Sequence, residues 1–118
     1  MARLVIKCTW GDERPETLFQ AFTVAATAAS SGHQVSLWLT GDAVWQAVAA
    51  TPDVNLAHSP SLASLRDAVV AAGTLTVCSQ CAARRDLTEA DLVPGARIAG
   101  AALFVEEAID QGATALVY

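Results

Sequence analysis

Short runs of apolar, often β-branched residues alternate along the chain with longer stretches in which apolar residues recur every three or four positions. Arg3-Leu4-Val5-Ile6-Lys7-Cys8 is the first short run and predicts a strand. Thr9 to Arg14 is polar and predicts a loop. Pro15 suits the first turn of a helix, where its missing N–H is no loss, and Glu16 complements the positive end of the helix dipole. Leu18, Phe22, Ala25 and Ala29 then keep helical spacing down to Ser31, and Gly32 provides the stop.

The pattern continues. Gln34 to Leu39 predicts a second strand, and Thr40-Gly41-Asp42 a turn into a short helix over Ala43 to Ala50, broken by Pro52. Val54 to Ala57 reads as a brief extended piece. Ser59 reads as a helix N-cap with Pro60 in the first helical position, followed by the stripe Leu62, Leu65, Ala68, Val69 and Ala72 and a stop at Gly73. Thr74 to Cys78 predicts a third strand, running into a helical turn over Ser79 to Arg85. Thr88 with Asp91 resembles a capping pair. Pro94-Gly95 turns the chain, Ala101 to Gln111 predicts a last amphipathic helix stopped by Gly112, and Ala113 to Val117 the final strand.

Strands alternating with helices at these spacings predict an α/β fold. The expected form is three-layer α/β/α, with a mainly parallel, doubly wound sheet of four to five strands in one domain over residues 1–118. Right-handed crossovers place every strand's carboxyl end on one edge of such a sheet, and ligands bind outside that edge. Three segments belong there: Cys8-Thr9-Trp10-Gly11, Thr40-Gly41-Asp42 and Cys78-Ser79-Gln80-Cys81.

Composition narrows the function. With 118 residues, 53% hydrophobic and 16% charged, the chain has apolar surface to spare for a subunit contact, and a homo-oligomer is expected. A net charge of −5 with seven scattered Lys and Arg leaves no basic stripe, so direct nucleic-acid binding is not expected. The apolar run after Arg3 is too short for a secretory signal and no stretch approaches a membrane span, so a cytoplasmic protein without membrane attachment is expected. Three cysteines, an odd number, argue against a disulfide framework in a reducing compartment.

Cys78 is the leading candidate for chemistry. It closes a strand with a helix directly behind it, where unpaired backbone N–H groups favour an anionic sulfur. The alternative is that it simply fills a buried strand end. Cys81, three residues on, shares a helical face with Cys78 and forms a C-x-x-C pair; it is either a second thiol for reversible disulfide exchange or a packed residue. Ser79 opens the turn, and Arg84 and Arg85 follow Cys78 closely enough for one guanidinium to lean back toward the sulfur, or else simply balance the helix dipole. Cys8 is a supporting candidate on the same edge. A zinc site would need four ligands, and the leftover Cys8, His33 and His58 do not make a second pair, His33 starting a strand at the opposite edge. Neither G-x-G-x-x-G after the first strand nor a P-loop nor G-x-S-x-G is present, so no cofactor is expected.

The run Val77-Cys78-Ser79-Gln80-Cys81-Ala82-Ala83-Arg84-Arg85-Asp86-Leu87 resembles the cysteine motif of the DsrE/DsrF-like (TusD-like) proteins, and Gly32-His33, Thr40-Gly41-Asp42-Ala43-Val44 and the small-residue helix from about Gly100 fit the same family. The resemblance implies trimeric or hexameric assembly and relay of sulfane sulfur as a persulfide on Cys78, received from and passed to partner proteins. Cys81 matches a second cysteine familiar in the family. Asp86 departs from it, standing where the family often has Gly. Thiol–disulfide exchange through Cys78 and Cys81, and a non-catalytic oligomeric binding module, are the competing functions.

Overall fold

The computed structural model describes residues 2–118. The chain forms β1 (Arg3–Cys8), α1 (Pro15–Ser30), β2 (Gln34–Leu39), a 3-10 helix (Gly41–Ala47), α2 (Leu62–Ala72), β3 (Thr74–Cys78), α3 (Ser79–Arg84), a 3-10 turn (Glu89–Asp91), β4 (Ala96–Ala99), α4 (Ala101–Ala108) and β5 (Ala113–Val117). The strands make one sheet in the order β4-β3-β2-β1-β5, with every neighbouring pair parallel. This is the α/β architecture expected from the alternation of periods, with five strands.

The two faces of the sheet differ sharply because pairing partners share a face. Ile6, Leu37 and Leu75 align across β1, β2 and β3, as do Cys8, Leu39 and Val77. All six are fully buried, packed with Leu18, Phe22 and Ala25 of α1 and Leu62 and Val69 of α2. The opposite face carries Ser36 on β2, and Lys7, Trp38, Thr76 and Arg97 aligned across β1, β2, β3 and β4. Helix α4 crosses it: Phe104 meets Trp38 edge-on with ring centroids 5.4 Å apart.

Several boundaries differ from the sequence pattern. Residues 54–57 form no strand, because no sheet edge lies beside them to pair with. Helix α2 starts at Leu62 with Ser61, not Ser59, as its cap; Ser61 Oγ accepts from Ser64 N at 3.3 Å, and Asp53 takes the Ala63 N–H at 2.8 Å. The expected helix over 43–50 is a 3-10 helix ending at Ala47, whose segment is tied to residues 91–93 by Ala49 N–H to Asp91 O and Val93 N–H to Ala47 O. Strand β4 escaped the sequence pattern, being only four residues long with Arg97 inside it. Helix α4 stops at Ala108, three residues short of Gln111. The capping pair is present, Asp91 accepting from the Thr88 N–H at 2.8 Å.

Glu107 of α4 is buried against the polar face, accepting from Ser36 Oγ, from Trp38 Nε1 at 3.0 Å and from Arg97 at 2.9 Å. Arg97 also donates to Thr76 Oγ1 at 2.8 Å. Burial alone would raise the Glu107 carboxyl pKa, but the Ser36, Trp38 and Arg97 donors outweigh it and lower it. The network is thus the fastening between α4 and the sheet. Glu107→Gln is expected to cost about 1–3 kcal/mol in urea unfolding at neutral pH. Because the folded-state value is depressed, the parent's advantage is complete above the unfolded carboxyl value of about 4.3 and disappears as pH falls through the folded one. A variant as stable as the parent across that range contradicts the assignment.

Candidate functional site

The carboxyl ends of the strands gather three loops around one spot. Thr40 N–H donates to Cys8 O at 3.0 Å, and Thr9 N–H donates to Tyr118 O at 2.9 Å, closing β5 onto the same edge. Gly11 lies against the turn after β2 so tightly that a Cβ there would sit 2.7 Å from Asp42 O. Gly41 takes φ +55°, and its N–H donates to Cys81 Sγ at 3.2 Å. Asp42 pairs with Arg85 at 2.8 Å, and Arg85 also donates to Cys81 O at 3.0 Å. The turn after β2 is therefore bolted to the helix after β3.

Cys78 is the last residue of β3 and the N-cap of α3, with no loop between strand and helix. Its side chain is partly exposed, and it lies on the same sheet face as Thr76, two residues before it, and hence on the face of Trp38 and Lys7. Burial would raise its pKa. The N–H of Cys81, the Cys81 thiol, the N–H of Gln80 and the charge of Lys7 together outweigh that and lower it. The amides bear on the sulfur electrostatically without closing a hydrogen bond of ordinary length to it. A sulfur that is reachable and more acidic than usual has more of the thiolate that acts as nucleophile.

Cys81 is buried under α3, held by Gly41 and approached by Arg84 Nη1 at 3.9 Å. Of the two arginines, Arg84 therefore leans toward the Cys81 sulfur, while Arg85 ties the loops. Ser79 is half-buried at the start of α3, its Oγ 3.3 Å from where a Cβ on Gly100 would stand, so α3 abuts the start of α4. Helix α3 closes with Leu87 N–H on Ala82 O at 2.9 Å and Asp86 N–H on Ala83 O at 3.2 Å. That closure needs a left-handed residue, and Asp86 supplies it at φ +55°. The departure at Asp86 thus keeps the turn, because Asp tolerates the conformation better than most side chains.

Cys8 does not join the group. It points to the opposite, apolar face, fully buried, with Sγ donating to Trp10 O at 3.3 Å. Burial, partly offset by that hydrogen bond, pushes its thiol up to about 11. Among the described residues no three His, Cys, Asp or Glu side chains gather to hold a metal ion. Asp12 and Glu13 stand exposed on the loop after β1, Glu13 accepting from Gly11 N–H at 2.8 Å. Lys7 is the neighbour that the sequence reading passed over; the available signal was a charge following the apolar run of a strand, one position before its end.

These environments order the thiols. In the folded protein an uncharged alkylating reagent at neutral pH is expected to modify Cys78 first, Cys81 much more slowly and Cys8 only after denaturation. Peptide mass mapping over time reads the order; Cys8 or Cys81 reacting ahead of Cys78 contradicts it.

Known proteins fit this geometry. The YchN protein from E. coli, known from a crystal structure, superposes over 100% of both chains with a TM-score of 0.83 at 17% identity. MTH1491, a protein of unknown function from Methanobacterium thermoautotrophicum, does so over 100% of both chains with a TM-score of 0.75 at 10% identity. Likeness at such identities speaks for the fold. No curated protein sequence matches the chain. The family model for DsrE/DsrF-like proteins, however, matches residues 3–117. With that match running from the first strand to the last, the chain belongs to the DsrE/DsrF-like family.

Proposed function

We propose that the protein carries sulfane sulfur as a persulfide on Cys78. The DsrE/DsrF-like family is associated with sulfur relay. The observation that carries the proposal for this chain is the state of the Cys78 sulfur, partly exposed and with its pKa lowered at the β3–α3 junction. The Cys78 thiolate attacks the terminal sulfur of a donor persulfide; an S–S bond forms to Cys78 as the donor's S–S bond breaks, and the donor leaves as its thiolate. An acceptor thiolate then attacks the outer sulfur and releases Cys78 as thiolate, with no net oxidation. Backbone amides that favour a thiolate favour the persulfide anion too.

A second reading, thiol–disulfide exchange, draws on Cys81, whose thiol is among the groups that lower the Cys78 pKa. Intact mass after incubation with a low-molecular-weight persulfide separates the two. Relay predicts a gain of one sulfur that reductant removes, that Cys78→Ala abolishes and that Cys81→Ser retains. No gain, or a gain surviving Cys78→Ala, contradicts relay. Loss of two hydrogens in the parent but not in Cys81→Ser identifies a disulfide instead.

The proposal extends to self-association and to the cytoplasm. Val105 and Ile109 near the end of α4 and Val117 of β5 are 50%, 78% and 66% exposed, apolar surface that a subunit contact would cover. Three cysteines, an odd number, suit a reducing compartment better than a disulfide framework. No helix among the described residues is long and apolar enough to cross a membrane. Light scattering on the purified protein is expected to return a trimer or hexamer, and Ile109→Glu to lower that mass; a monomeric parent contradicts assembly.

A further inference from the structure

Lys7 is an unusual residue for its place. It lies in β1, which is flanked by β2 on one side and β5 on the other, so it is no charged guard on an exposed sheet edge. Its side chain is half-buried, and its Nζ stands 4.1 Å from the centroid of the Phe104 ring. Phe104 is itself fixed edge-on against Trp38, and Trp38 by Glu107. The ammonium is therefore held in place by an aromatic wall.

Among the described residues no carboxylate forms an ion pair with Lys7. The ion pairs among the described residues are Arg66–Asp67, Arg85–Asp42 and Arg97–Glu107. Of the acids on α4, which crosses this face, Glu107 is committed to Ser36, Trp38 and Arg97, and Glu106 is exposed. Lys7 pairs with Trp38, and Trp38 with Thr76, so Lys7 and Cys78 share one sheet face with β2 between their strands. Two strand spacings, about 10 Å, separate those strands, and Cys78 stands two residues, about 7 Å, further along than Thr76, so an extended lysine spans about half of the separation and its charge acts on the sulfur through space. Of the two nearby arginines, Arg85 is paired with Asp42, and Arg84 approaches the buried Cys81 sulfur at 3.9 Å.

We propose that Lys7 is the counter-charge of the Cys78 sulfur, a positioning residue whose ammonium, clamped on Phe104, holds the thiolate and the persulfide anion on this face of the sheet. The inference rests on the sulfur-carrying reading and deepens it, for it names the group that stabilises the loaded state. Its acting on Cys78 agrees with the lowered pKa of that thiol, where the Lys7 charge contributes after burial and the Cys81 and Gln80 donors have been counted. Lys7 forms no bond and breaks none; it acts through the sulfur's charge.

The pH dependence of thiol reactivity tests this separately from sulfur loading. The rate of Cys78 with 4,4′-dithiodipyridine, an uncharged disulfide, is measured across pH in a Cys81→Ser background so that one accessible thiol reports. Lys7→Met is expected to raise the apparent pKa by about 0.5 pH unit. Since a less acidic thiolate is the better nucleophile, the variant then reacts about twofold slower below the pKa yet somewhat faster on the alkaline plateau. The profiles cross, and the gap between them narrows with added salt. Lys7→Arg, which keeps the charge, is expected to follow the parent. An unshifted Lys7→Met profile overturns the inference, as do equal shifts in Lys7→Met and Lys7→Arg, the mark of a merely structural role. If Lys7→Met does not fold, Lys7→Gln takes its place with the same expectations. Persulfide loading that fails while the profiles shift as described sinks the relay and leaves the Lys7–Cys78 coupling standing; the reverse outcome does the opposite.

Discussion

The molecule turns on a junction with no slack: β3 ends at Cys78 and α3 begins at Ser79. A loop there would let the sulfur turn into solvent or fold into the core. With none, the strand fixes which face the side chain takes, and the helix fixes which amides it meets. The opposing influences on the thiol are burial, which disfavours charge, and the Cys81 and Gln80 N–H groups with the Cys81 thiol and the Lys7 ammonium, which favour it. The second set prevails. Much of the rest of the carboxyl edge keeps that junction where it is: Gly41 against Cys81, Asp42 against Arg85, and the left-handed Asp86 closing α3.

The same sheet shows the contrast a reactive sulfur requires. On one face Cys8 lies among leucines and alanines, fully buried, with its thiol pushed up to about 11. On the other, Cys78 looks across a surface holding Trp38, Thr76, Arg97 and the buried Glu107. The residues are chemically identical and stand at ends of parallel strands. Strand parity sends Cys8 into hydrocarbon and turns Cys78 toward the polar face, where it still packs against the rim of the core.

Much of the fold was legible because its signals are local. The stripe Leu18, Phe22, Ala25, Ala29 named α1 and its buried face, and the apolar runs named β1, β2, β3 and β5. Cys78 and Cys81 were legible for the same reason, since their spacing and their place behind a strand need no distant information. What was not legible depends on partners far along the chain. Ala-Arg-Ile-Ala becomes β4 because β3 offers it an edge, and residues 54–57 stay irregular for want of one. The start of α2 is set partly by Asp53, ten residues before the amide it receives. Cys8 stood as a supporting candidate on the same edge until register assigned it to the other face, and Lys7, read only as part of the first strand, gained its place when α4 laid Phe104 beneath its ammonium.

The central claim is a statement about one ionisation, so it is measured most directly by titrating Cys78 itself. In protein carrying a labelled cysteine β-carbon, the NMR shift of the Cys78 resonance, assigned by its loss in Cys78→Ala, is followed against pH. The account predicts a midpoint below the free-cysteine value of about 8.5, with Cys8 untitrated through the same range. A Cys78 midpoint at or above that value contradicts it.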